Sequence, residues 1–280
     1  MQTELSPEAV DAFRQEAKVA LLATISPEGL PHVTLITSLM AKSDRELTFG
    51  QFCEGRSKKY VEQNGNAAFL VLTMDRKIWR GTATWTGKKT QGPEFEAYNT
   101  LPMFRYNAYF GIHTVHYMDL REVTPRQGLP YARVAASLAL AEAGRRFAVP
   151  HDGPEVLNAW SHRFFLRPDT LKFISYVDAD GFPRIIPALS MRPAGRARLV
   201  FSPLAYQEEI AAIPRGARAA VFGLSFRMED VLVRGTFLGK NRFGQIPLCA
   251  VDLDFAYNSM PPVPGVIFPM PDLNPVTDFS

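Results

Sequence analysis

The chain has 280 residues, 46% of them apolar and 21% charged, with a net charge of +3. That is the composition of a globular protein with ample core-forming side chains, at a length suiting one large domain or two of ordinary size. So small a positive excess argues against a nucleic-acid surface, and no apolar run reaches the roughly 18–20 residues of a membrane span.

The two cysteines, Cys53 and Cys249, are too few for a disulfide framework and read as free thiols. The first residues lack a basic region followed by an apolar core, so no signal peptide is expected and cytoplasm is the default location.

Along the chain, Ser6-Pro7-Glu8 predicts a helix start, an N-cap followed by proline at the first helical position. Residues 19–40 (VALLATISPEGLPHVTLITSLM) then read as two strands joined by a turn at Glu28-Gly29. A third strand is expected at Leu47–Gln51 and a short helix at Ser57–Asn64, closed by Gly65. Strands follow at Ala67–Met74 and Ile78–Trp85. Residues Tyr131–Phe147 and Glu155–Phe165 are expected to be helical connectors.

Residues 171–192 (LKFISYVDADGFPRIIPALSMR) repeat the first hairpin, with the turn now at Asp180-Gly181. Gly29 and Gly181 are 152 residues apart, as are Pro31 and Pro183, Leu47 and Leu199, and Phe49 and Phe201. Arg80-Gly81-Thr82 recurs as Arg234-Gly235-Thr236 at a spacing of 154, which predicts a two-residue insertion in the preceding loop. An ordered series of this kind indicates duplication. Short, β-branched or aromatic runs between turn residues indicate small barrels. The tail carries Pro261, Pro262, Pro264, Pro269, Pro271 and Pro275 and is expected to be irregular.

Between the third strand and the short helix lies Gly55-Arg56-Ser57-Lys58-Lys59. A helix N-terminus already carries partial positive charge, so three cations there call for an anion. Backbone N–H groups and the Ser57 hydroxyl can donate to a phosphate, and Arg56 can fork onto two of its oxygens. The second repeat has Gln207-Glu208-Glu209 instead, acidic as a purely structural helix prefers.

With 48–72 (TFGQFCEGRSKKYVEQNGNAAFLVL), 77–85 (KIWRGTATW) and 92–124 in this order, the chain resembles the FMN-binding split barrels related to pyridoxamine 5′-phosphate oxidase. The resemblance covers about residues 10–124 and, more weakly, 165–255. It implies a mainly β fold with flanking helices, built as two tandem split β-barrels. Residues 1–128 form the FMN-binding barrel, 129–168 a helical connector, and 169–280 a degenerate second barrel with a Pro-rich tail.

Carried over by position, Arg56 and Ser57 match the phosphate binders, with Lys58 and Lys59 beside them. Thr34, Leu35, Ile36 and Thr37 match the stretch against the isoalloxazine ring. Phe49, Gly50 and Gln51 match the strand end lining the ribityl chain, and Arg80 matches a strand residue that approaches the cofactor. The implied function is a flavin-dependent oxidoreductase or electron carrier using FMN and a small redox substrate or electron partner. It would act as a homodimer or as a pseudo-dimer within one chain.

F420- or haem-binding split barrels and a cofactor-free interaction module are the other classes that fit. His113 and His116, three apart on a strand, face opposite ways and do not suggest a metal site.

Overall fold

The computed structural model describes residues 1–101, 111–149, 153–258 and 265–270. Helix α1 (Pro7–Arg14) starts as expected, with the Ser6 side chain accepting from the Ala9 N–H. Strands β1 (Lys18–Ile25), β2 (Pro31–Leu35), β3 (Met40–Ala41) and β4 (Glu46–Gln51) follow, then helix α2 (Arg56–Gln63). Next come β5 (Asn66–Thr73), β6 (Lys77–Lys89), α3 (Pro93–Thr100), β7 (Thr114–Val123) and β8 (Gln127–Gly128). The connector holds α4 (Tyr131–Gly144), a 3-10 turn at Arg145–Ala148 and α5 (Ala159–Leu166).

The second set begins with β9 (Thr170–Val177), β10 (Pro183–Pro187), β11 (Arg192–Pro193) and β12 (Arg198–Phe201). A 3-10 turn at Pro203–Tyr206 leads into α6 (Gln207–Ala211). Strands β13 (Arg218–Ser225), β14 (Asp230–Phe243), β15 (Ile246–Asn258) and β16 (Gly265–Phe268) complete it.

The two sheets have one topology. The first runs β2-β1-β5-β6-β7-β4-β3 and the second β10-β9-β13-β14-β15-β12-β11, all antiparallel where the pairing is described. The chain is therefore a mainly β duplication.

Its offset is 152 at each point of comparison before β7. In the hairpin turns, Gly29 N–H donates to Ser26 O as Gly181 N–H donates to Asp178 O. The Ser38 hydroxyl donates to Gly50 O as the Ser190 hydroxyl donates to Ser202 O. Arg76 and Met228 both adopt positive φ in the loop before β6 and β14.

That last pair corrects one expectation: the loop has no insertion. Ala68 pairs with Thr82, and Ala220 with Arg234. Arg234 thus occupies the place of Thr82, and the Arg-Gly-Thr recurrence at 154 is not the structural register. Sequence identity misled here because two residues along a strand return to the same face.

Three smaller expectations also change. Helix α5 begins at Ala159 because the Asn158 side chain caps it, accepting from Ser161 N–H at 2.8 Å. Helix α2 ends at Asn64 in extended backbone, without a left-handed Gly65. Part of the tail is regular after all: the proline-free run Gly265–Phe268 pairs with β15. The tail prolines other than Pro269, residues 102–110 of the 92–124 stretch, and His151 lie outside the described residues.

β1 reads as a near-continuous apolar run because both its faces are buried. Ala20 and Leu22 enter the first sheet's own core, with Phe13, Phe69 and Trp79. Leu21 and Ala23 face the other way, joining Val33, Leu70, Phe173, Ile185, Phe222 and Leu232 in a core shared by both sheets. Each large side chain buried there stabilises the pairing of the two units by about 1.5–3 kcal/mol relative to exposure. At the rim of that core, Arg184 binds Glu122 across the interface and also reaches Asp178 and Asp180. Asn66 Nδ2 donates to Gly181 O at 2.9 Å.

Candidate cofactor site

Helix α2 opens on Gly55, which offers no side-chain cap, and its first turn has no acidic residue. Ser57 is buried, and its hydroxyl finds no hydrogen-bond partner. A buried hydroxyl without a partner is costly, and an acceptor on a ligand would relieve that cost. The Lys58 side chain folds back over the helix start, its Nζ lying 3.6 Å from where a Gly55 Cβ would stand. Burial holds the Lys58 ammonium below the usual lysine range.

The second unit closes the site from across the shared core. Arg56 lies over Tyr257 at 4.7 Å and over Phe255 at 5.8 Å, both on β15. Arg234, on β14, covers the same Phe255 ring at 4.0 Å. It is 8% exposed, and its Nε has no partner. Burial, and less strongly the charge of Arg56, push its pKa down. Among the described residues no carboxylate forms an ion pair with Arg56, Lys58 or Arg234. Glu28, exposed on the β1–β2 turn, feels both guanidiniums without contacting them, and their charge adds to a pKa lowering led by its Ser26 hydrogen bond.

His32, buried on β2, completes the cluster between Tyr60 and Tyr257, each ring 5.4 Å away. Burial pushes its pKa down to about 3, helped by Arg234, Arg56 and Lys58. His116 is fully buried and lowered to about 4, again chiefly by burial.

Both histidines are neutral in the fold and bind a proton on unfolding below about pH 6.5, so acid favours the unfolded chain. Stability is expected to fall steadily from about pH 6.5 toward pH 4, by about 2–3 kcal/mol for each histidine. Urea melts of the ligand-free protein across this range check it. A His32→Asn variant that keeps the full acid slope would remove His32 from the account.

The other residues expected at the site are dispersed. Leu35 packs into the shared core and Ile36 into the first unit's own core, while Thr34 is buried and Thr37 half-buried. Phe49 stacks on His116 at 4.5 Å with a 2° tilt. His116 Nδ1 accepts from Trp85 Nε1 at 3.2 Å, so its Nε2–H is the donor to Gln51 Oε1 at 2.6 Å. Gly50 is held on both backbone groups by the Ser38 hydroxyl. Lys59 is exposed and pairs with Glu54 at 3.3 Å. Arg80 turns to the unit interface instead, with its Nη2 on Glu209 of the second unit at 2.6 Å and on Gln127 Oε1 of the first at 2.8 Å.

The structure therefore gathers Arg56, Ser57 and Lys58, with Thr34 on neighbouring β2. It adds His32, Tyr60, Arg234, Phe255 and Tyr257, which were not in the expected set. The one sequence signal for Arg234 was the Arg-Gly-Thr recurrence, which pointed to Arg80 as its counterpart through the wrong offset.

No protein-family model and no curated protein matches the sequence. Among solved structures, the chain is similar to an FMN-binding protein from Syntrophomonas wolfei, at 14% identity over 41% of this chain and 80% of that one, with a TM-score of 0.35. It is similar to a FAD-binding protein from Mesorhizobium loti, at 17% identity over 44% and 95%, with a TM-score of 0.32. The haem storage protein HutZ of Vibrio cholerae matches at 13% identity over 44% and 96%, with a TM-score of 0.30. The fold is a split barrel, present twice. That statement rests on the sheet order and the repeated register.

The cluster at α2 fits a phosphate-bearing group. An orphaned hydroxyl, free helix N–H groups and an orphaned guanidinium nitrogen all need acceptors, and an anion supplies them together.

Proposed function

We propose that the tandem split barrel binds FMN at the α2 cluster, on the interface between its two units, and serves as a flavin-dependent oxidoreductase or electron carrier. The observation that carries this reading is the buried Ser57 hydroxyl at a helix start beside three cations, none of these groups having a hydrogen-bond or ion-pair partner of opposite kind among the described residues.

In this reading residues 1–128 supply the phosphate loop, and residues 169–280 take the place of a second subunit. Ser57 and the first N–H groups of α2 donate to the phosphate, Arg56 forks onto it, and Lys58 and Arg234 neutralise it from either side. Tyr60, Phe255 and Tyr257 wall the site from water, which strengthens each of these charged contacts. His32, uncharged, adds no further positive charge to the three cations. Thr34 and Thr37, the polar side chains of β2 and its continuation, would meet the ring. Bound flavin would supply hydride or single-electron chemistry, and the protein would supply binding and orientation.

Purified protein is expected to be yellow and to release FMN on denaturation, rather than FAD, F420 or haem. Arg56→Ala is expected to weaken FMN binding about 10- to 100-fold, the worth of hydrogen bonds to a charged group. Its far-ultraviolet circular dichroism should be unchanged. A folded, colourless protein that takes up no added FMN overturns the proposal.

A further inference from the structure

Because the two sheets share one strand order, the cluster around α2 has a counterpart 152 residues on. There Glu209 stands in the place of Ser57, Glu208 in that of Arg56, Ala212 in that of Tyr60, and Arg184 in that of His32. The ring of Tyr60 has no equivalent there, although Tyr206 lies under Arg80 at 5.4 Å, and a cavity of about 450 Å³ opens between the units, lined by Arg80, Gln127, Tyr176, Arg184 and Glu209 among others.

Arg80 lines this cavity from β6, as Arg234 joins the α2 cluster from the same face of β14. Arg80 is 7% exposed, so its charge is costly without a counter-ion. It has one: the Glu209 carboxylate, 2.6 Å from Nη2. Arg184 is likewise taken by Glu122, Asp178 and Asp180. The anion that the α2 cluster would take from a ligand is supplied in the second place by the chain itself.

We infer that Glu209 closes the second cavity to phosphate, so that each chain takes one phosphorylated ligand and any occupant of the second cavity lacks a phosphate. This rests on the reading of α2 as a phosphate site. A carboxylate at ion-pair distance from the same arginine weakens binding of a dianion by about 100-fold or more.

FMN titrated into the ligand-free, full-length protein by calorimetry tests it. One equivalent per chain is the expected result. Two equivalents overturn the inference and leave the α2 reading standing; none, from a folded protein, defeats the α2 reading and this inference with it. Glu209→Ser, which copies Ser57 and releases Arg80, is expected to admit a second, weaker equivalent that the double variant with Arg80→Ala loses. Glu209→Gln keeps the side-chain shape without its charge, and serves if the serine variant does not fold. A folded Glu209 variant that still takes a single equivalent overturns the role given to Glu209.

Discussion

Arg234→Ala is expected to weaken FMN binding by at least about 30-fold, although Arg234 lies 178 residues along the chain from Arg56. The guanidinium is buried, one of its nitrogens is unsatisfied, and it shares the Phe255 ring with Arg56. Its charge has already been stripped of water, so a phosphate placed beside it gains the contact without further desolvation of the arginine. The same burial makes the residue unfavourable when no anion is bound. The ligand-free variant should therefore melt no lower than the ligand-free wild type.

Loss of affinity with retained stability is the signature of a binding residue, whereas a packing residue would lose both. Arg234→Lys should recover only part of the affinity, because an ammonium is a point charge without the planar fork. An unchanged dissociation constant in Arg234→Ala would show that the second barrel only covers the site.

The second large effect concerns stability. Gly235→Ala is expected to cost about 3 kcal/mol or more, lowering the melting temperature by several degrees. A Cβ there would stand 1.8 Å from the Asp252 carbonyl oxygen and 2.9 Å from Leu253 Cα, all backbone atoms of β15. The cause is the register shift between Arg234 and Gly235, a bulge that brings β15 against β14. Relief would require moving a strand in the middle of the sheet.

Gly29→Ala is the matched control. Gly29 has positive φ, 74°, but nothing within 4 Å of a built Cβ, so the conformational penalty of about 1–2 kcal/mol acts alone. If the two variants melt together, close approach is not what Gly235 provides.

Much of this molecule is legible without coordinates. The paired turns at Glu28-Gly29 and Asp180-Gly181, the spacing of 152, and the basic helix start against its acidic copy all rest on residues near one another in sequence. Turn chemistry, strand alternation and helix-end electrostatics act over a few residues, so they can be read locally. The duplication, the mainly β class and the special character of α2 follow from them. The error at Arg80 shows the limit: a three-residue match cannot fix a strand register, whereas the β13–β14 pairing of Ala220 with Arg234 does.

Which groups gather around α2 was decided only by tertiary structure. The burial of His32, the placing of Phe255 and Tyr257 against Arg56, and the capture of Arg80 by Glu209 arise where two sheets pack face to face. Those partners are more than 120 residues apart for Arg80 and nearly 200 for Arg56. Local propensity carries no information about such contacts, because they depend on how two buried faces match and not on the chain between them. The sequence alone determined that the start of α2 is basic and that of its copy acidic. The packing of one barrel on the other determined which side chains surround α2 and which fill the corresponding place on the opposite side.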